Sequence, residues 1–370
     1  MRHWQLLAVS LLTVLSCSSA VRAQASLATV PVGGTAMAVA FNAVTNKIYV
    51  AAQTGTSLTE IDGLTFQGTT IPLQTPTTVA TDQIEVNPIT NTIYVINVAN
   101  NNVAVVNGAT HAVSFLPTPA GPYAMGINLT TNKLYVADFN ANMVSVIDLN
   151  TNTVTNIGVG TNPSAVAVNF VTNRIYVTNS GSNNVSVING VNNKVTNVKV
   201  GMYPTALAID TVADKIYVAN TQENNLTVIN GPSNKTETVT VDLYPNLVAV
   251  NSTTHKIYVA FQIFGDFIVL DGPTLTTATI PAGLAENDIA IDEWRNKIYV
   301  ADQTSNQVVV IDGLTNAMTT IPGTGSYLWK VAVNPLTNEV YAANLISNNA
   351  SIYSAAPSPL PLELLEFLQK

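Results

Sequence analysis

The chain has 370 residues and a net charge of −8, with 10% charged and 47% apolar residues. That apolar fraction excludes intrinsic disorder, and an acidic balance without a lysine or arginine stripe argues against nucleic acid as a partner, because phosphates are repelled over a Debye length. The single cysteine, Cys17, offers no disulfide framework.

Residues 1–25 carry a short basic start (Arg2, His3), an apolar run from Leu6 to Leu15, and small residues ending at Ala23-Gln24-Ala25. This order predicts a secretory signal peptide, and hence a secreted, periplasmic or cell-surface protein. The phrase Val14-Leu15-Ser16-Cys17 also fits a lipobox loosely, so lipoprotein anchoring through Cys17 is the alternative. No later stretch approaches the roughly 18 consecutive apolar residues of a membrane span.

Residues 26–354 are a repeat. Tyrosine recurs in nearly one phrase at Tyr49, Tyr94, Tyr135, Tyr176, Tyr217, Tyr258, Tyr299 and Tyr341, at intervals of 41 to 45 residues. A period near 40, with several short alternating segments per unit, predicts an all-β fold, a β-propeller of four-stranded antiparallel blades. The unit containing Tyr176 shows the plan: Ala165 to Asn169, then Arg174 to Val177, Val185 to Ile188, and Lys194 to Val200. Each segment alternates and is bounded by turn residues. The third turn carries Asp62-Gly63, Asn107-Gly108, Asn189-Gly190, Asn230-Gly231, Asp271-Gly272 and Asp312-Gly313; these steps are expected to supply the positive φ of a hairpin turn. The repeated tyrosine is expected to fill the gap between blades, its hydroxyl finding a partner near the edge.

The last unit lacks a fourth strand, while Ser26 to Gly33 is a strand without a unit that matches the fourth-strand phrase at Thr319 to Gly323. Pairing the two closes the ring and leaves no open sheet edge, so eight blades closed by the N-terminal strand are expected. Residues 355–370 are a Pro-rich linker and a short apolar tail, expected to be lightly attached.

The phrase at Thr172-Asn173-Arg174-Ile175-Tyr176-Val177-Thr178-Asn179, with relatives at Thr45 to Val50 and Asp214 to Asn220, resembles the YVTN family of β-propeller repeats. The resemblance covers about nine-tenths of the chain. It implies a secreted, periplasmic or surface-layer protein without known catalytic activity, and supplies no catalytic residues to carry over. Many members have seven blades, which makes a seven-bladed ring the alternative.

Function is sought where the copies differ. Aligning the turns that lead into each first strand on Asn162-Pro163-Ser164-Ala165 places Tyr203, Tyr244 and Tyr327 at the Asn162 position, with Tyr123 and Trp329 at the Ser164 position. These form an expected aromatic collar around one mouth, suited to a sugar ring or a peptide side chain. A polar sector accompanies it: Gln83 and Glu85 in blade two, Glu286 and Asp288 in blade seven, and Lys330 in blade eight, with Asp288 and Lys330 placed to form an ion pair. Phe261, Ile263, Phe264 and Phe267 are read as an apolar patch on the same side. Downstream of residue 25 the only histidines, His111 and His255, fall on different blades, so no catalytic residue, metal site or cofactor is assigned. The expected function is a non-catalytic, monomeric scaffold for an extracellular carbohydrate, peptide or protein. The alternatives are a hydrolase or lyase using the mouth carboxylates, and a purely structural cell-envelope component.

Overall fold

A computed structural model describes residues 25–78, 83–261, 266–281 and 286–355. Residues 1–24, which hold most of the expected signal peptide with Cys17, the tail beyond Ala355, and Ile263 and Phe264 lie outside these residues. Thirty-two strands form eight antiparallel sheets of four. The ring of eight is the one expected, and not the seven-bladed alternative.

Blade four shows why these residues fold this way. In Arg174–Asn179 every side chain after Arg174 is buried. Alternation sends Ile175 and Val177 into a core shared with Tyr135, Ala137 and Val144 of blade three, and sends Tyr176 into one shared with Ile216 and Val218 of blade five. The apolar core therefore lies between blades, and no sheet can bury both faces alone. The outermost strand, Val195–Lys199, has one buried residue and alternates with exposed ones.

The ring closes through the N-terminal strand. Ala25–Pro31 pairs antiparallel with Asn349–Ser354, matching Ser26 to Tyr353, Ala28 to Ile352 and Val30 to Ala350. Val30 then packs with Ile48 and Val50 of blade one and Tyr341 of blade eight, so one strand seals both a sheet and an inter-blade core.

Three local expectations need correction. The glycines of the third turn are not its positive-φ residues: that conformation falls at the end of the turn, on Asn193 (59°) and its counterparts His111, Asn152, Asn234, Leu275 and Asn316. Gly190 is required by close approach, since its N–H donates to the Asn173 carbonyl at 2.9 Å and a Cβ would sit 2.1 Å from Asn173 Oδ1. The repeated tyrosines are all buried, yet the hydroxyls of Tyr135, Tyr217 and Tyr258 have no hydrogen-bond partner among the described residues. Tyr217 instead ends 2.8 Å from where Gly272 of the next blade would carry a Cβ, so ring length is fitted to that glycine. Finally, Phe261 and Phe267 belong to inter-blade cores at 1% and 0% exposure, which removes them from any surface patch.

A second ring of contacts stitches the far ends of the first strands. Asn42 Nδ2 donates to Asn91 Oδ1 at 2.9 Å, Asn87 to Asn132 at 3.2 Å, Asn128 to Asn173 at 2.9 Å, and Asn169 to Asp214 at 2.7 Å. Asn251 to Asn296 at 2.9 Å and Asn334 to Asn46 at 3.2 Å continue it. At the remaining boundaries Asp210 meets His255 Nδ1 at 2.6 Å, and Arg295 bonds both Asp292, at 2.9 Å, and the Pro335 carbonyl. Every blade is thus tied to the next at that face, leaving the opposite mouth to vary.

Candidate functional site

The variable mouth is built by the turns that lead into each blade. At Asn162 the chain takes φ of 52°; the Asn162 N–H is capped by Asn142 Oδ1 at 2.8 Å, and its carbonyl accepts from Ser180 N at 3.0 Å. Gly121 (φ 74°) repeats this with Asn101 and Phe139. Asparagine and glycine suit the left-handed region. The same position holds Tyr203, Tyr244 and Tyr327 at 55°, 60° and 67°, a conformation uncommon for a bulky residue and costing on the order of 1 kcal/mol or more. Tyr203 and Tyr244 are 42% and 39% exposed, so the strain is not offset by burial of the ring.

Two residues further on, seven of the eight first strands start with a β-bulge among the described residues, blade two being the exception. Register slips between Pro163 and Ala165, Pro204 and Ala206, Pro245 and Leu247, Glu286 and Asp288, and likewise at Pro122/Ala124 and Leu328/Lys330. Six of the bulged residues, Tyr123, Ser164, Thr205, Asn246, Asn287 and Trp329, line a cavity of about 710 Å³ at the mouth of the channel; the seventh, Met37 of blade one, is buried outside that lining. Bulges re-aim side chains at barrel rims and beside active sites. Here they lay an arc of two hydroxyls and two amides across blades four to seven, bounded by an aromatic ring at each end.

The arc is held by bonds within its own blades and to the next ones. Ser164 Oγ donates to the Pro204 carbonyl at 3.1 Å, Thr205 Oγ1 meets Thr221 Oγ1 at 2.6 Å, and Asn287 Nδ2 donates to Gln303 Oε1 at 2.6 Å and to the Leu328 carbonyl at 3.1 Å. Two polar atoms of the same lining are buried without a partner among the described residues: the Asn246 Oδ1 acceptor and the Trp329 Nε1 donor. Unsatisfied buried groups are uncommon, and this pair supplies one hydrogen-bond function of each kind.

The aromatic set divides. Tyr123 and Trp329 line the cavity, Tyr123 being 46% exposed and 5.4 Å from the Phe139 ring. Tyr203, Tyr244 and Tyr327 stand on the lead-in turns outside the cavity lining, although Tyr327 stacks on Trp329 at 6.3 Å and 10°. In the polar sector Gln83 and Asp288 line the cavity. Lys330 Nζ bonds Asp288 Oδ1 at 3.1 Å and the Val331 N–H donates to Asp288 Oδ2 at 3.0 Å, which neutralises that carboxylate. Glu286 opens the first strand of blade seven, and its side chain is outside the described set. Asn246, Asn287, Ser164 and Thr205 escaped the sequence reading; their signal is the second residue of each first strand, where polar identity changes from blade to blade.

One level deeper, Glu85 replaces the alanine or glycine found at Ala40, Gly126, Ala167, Ala208, Ala249, Ala290 and Ala332. Burial in the channel wall pushes its carboxyl up to about 7. The histidines lie elsewhere: His111 Nε2 is 3.3 Å from Glu60, and His255 belongs to the far ring of contacts. Among the described residues no group of three or more histidine, cysteine, aspartate or glutamate side chains is placed to hold a metal ion, and no helix is long and apolar enough to cross a membrane.

No family model matches the chain, and no curated protein matches it in sequence, so the likeness to YVTN repeats rests on the residue phrases alone. Solved structures do match. The C-terminal WD40 domain of Sif2 aligns with a TM-score of 0.73 at 13% identity, covering 91% of this chain and 99% of that one. Hydrazine synthase of Kuenenia stuttgartiensis aligns at 0.60 and 18% identity, covering 74% of this chain and 95% of its own. The fold is that of a WD40-like β-propeller. At these identities the likeness establishes architecture only, and a propeller hosts unrelated activities.

Proposed function

We propose that the protein is a secreted, non-catalytic binding scaffold that takes a carbohydrate, peptide or protein segment at the mouth where the first strands begin. One observation carries this reading: six bulged side chains, aromatic at both ends and neutral polar between, line one cavity of about 710 Å³. Aromatic faces supply contact area, and the amides and hydroxyls supply orientation. A hydrolytic role through Asp288 is disfavoured by its bonds to Lys330 and the Val331 N–H, one to each oxygen, which hold the carboxylate in a structural ion pair. Secretion is supported by the signal-like residues 1–25.

The test is an array of neutral glycans and capped peptides probed with the labelled protein. Trp329→Ala and Asn246→Ala should each reduce capture at least tenfold with unchanged circular dichroism. Undiminished capture by both variants would remove the mouth as the binding site.

A further inference from the structure

Glu85 is the feature of the channel that the arc does not explain. It sits on the strand Ile84–Asn87, paired with Tyr94, two residues beyond Gln83 and therefore on the same strand face, about 7 Å deeper along the channel. It makes no hydrogen bond or ion pair among the described residues, and burial alone accounts for its displaced titration. The other carboxylates described on first strands are matched: Asp288 by Lys330, Asp210 by His255, Asp292 by Arg295. At the counterpart of Glu85 in blade three, Gly126, the next blade comes close, since a Cβ there would lie 3.2 Å from Val166 and 3.3 Å from Val168. Glu85 itself is only partly buried, so its carboxyl is open to a ligand in the channel, and an unpaired carboxylate with restricted access to water favours a cationic partner.

We propose that the mouth selects a peptide segment bearing a lysine or arginine, the cationic side chain passing Gln83 to meet the Glu85 carboxylate while the flanking backbone lies on the arc of Ser164, Thr205, Asn246 and Asn287. The proposal rests on the binding role assigned to the mouth and specifies its partner. The depth of Glu85 below the arc suits an extended lysine or arginine side chain, and the neutral arc suits peptide amides, which present both donors and acceptors.

The experiment is calorimetric titration at pH 8 with the capped peptide Ac-Gly-Ser-Lys-Ser-Gly-NH2, its norleucine counterpart, and n-pentylamine. The lysine peptide should bind at least tenfold more tightly than either control, and Glu85→Gln should erase that preference without lowering the thermal midpoint. At pH 6.5 binding should release protons, because a cation favours the ionised carboxyl; Glu85→Asp, which keeps the charge, should retain part of both effects. Equal affinity for the lysine and norleucine peptides, or no binding of either, would overturn the proposal. Amine binding as tight as peptide binding would overturn the peptide assignment. If array capture still depends on Trp329 while lysine confers no preference, the scaffold reading stands and this inference fails.

Discussion

Asp138 occupies the last place of the second strand of blade three, where blades four, five and eight carry Asn179, Asn220 and Asn344. In blade four Asn179 Nδ2 donates to Ser186 Oγ at 2.9 Å, and that hydroxyl donates to Asn197 Oδ1 at 2.8 Å. In blade three Ser145 Oγ lies 2.8 Å from Asp138 Oδ2 and 3.0 Å from Asn156 Oδ1. One hydroxyl proton cannot serve both acceptors, so a protonated Asp138 completes the chain as asparagine does, and burial pushes its carboxyl up to about 7. In the unfolded chain the group loses its proton near about 4. Its contribution is therefore complete below about pH 4 and lost as pH rises to about 7, by roughly 2–4 kcal/mol. Asp138→Asn should raise the urea midpoint at pH 8 and flatten its decline between pH 5 and 8; an unchanged decline would refute the assignment. The unpartnered hydroxyls of Tyr217 and Tyr258 make a second case. Either Tyr→Phe change should leave stability within about 0.5 kcal/mol or raise it, since a buried unpaired hydroxyl is lost; a loss above about 1.5 kcal/mol would point to a bond not accounted for.

At the scale of strands and turns, the tyrosine period and the alternation of each strand were legible, because both are written along the chain. The bulges were not: a bulge changes which residues face each other across a sheet, and the spacing of Ser164 or Asn246 from its own proline is the same with or without one. Of the expected aromatic collar, Tyr123 stands at a bulge and lines the cavity, whereas Tyr203 and Tyr244 stand on the lead-in turns outside its lining. The asparagine links between blades were hidden likewise, since Asn169 and Asp214 lie 45 positions apart and meet only when blades are set side by side. Asn169 Oδ1 also accepts from Val171 N and Thr172 N at 3.0 and 3.2 Å, so Asn169→Ala removes a turn and a link together. The expected loss is about 2–3 kcal/mol, read as a lower thermal midpoint. The strained turns behave oppositely. Tyr244→Asn relieves the left-handed backbone and should stabilise the protein by about 1 kcal/mol while leaving capture at the mouth intact.

For the whole molecule, closure by Ala25–Pro31 makes the ring a single cooperative object and presents two unlike faces. One is tied at every blade boundary by side chains of the first turns, with Trp294 exposed among them; the other opens on the arc and Trp329. The two tryptophans of the described chain thus stand at opposite ends of the channel, with first strand Glu286–Asp292 running towards Trp294 and Leu328–Asn334 starting at Trp329. Capture of the best array ligand by Trp329→Ala and by Trp294→Ala, measured side by side as dissociation constants, therefore reports which face binds. The account predicts at least a tenfold loss for Trp329→Ala and a change of less than twofold for Trp294→Ala. The reverse pattern would contradict it.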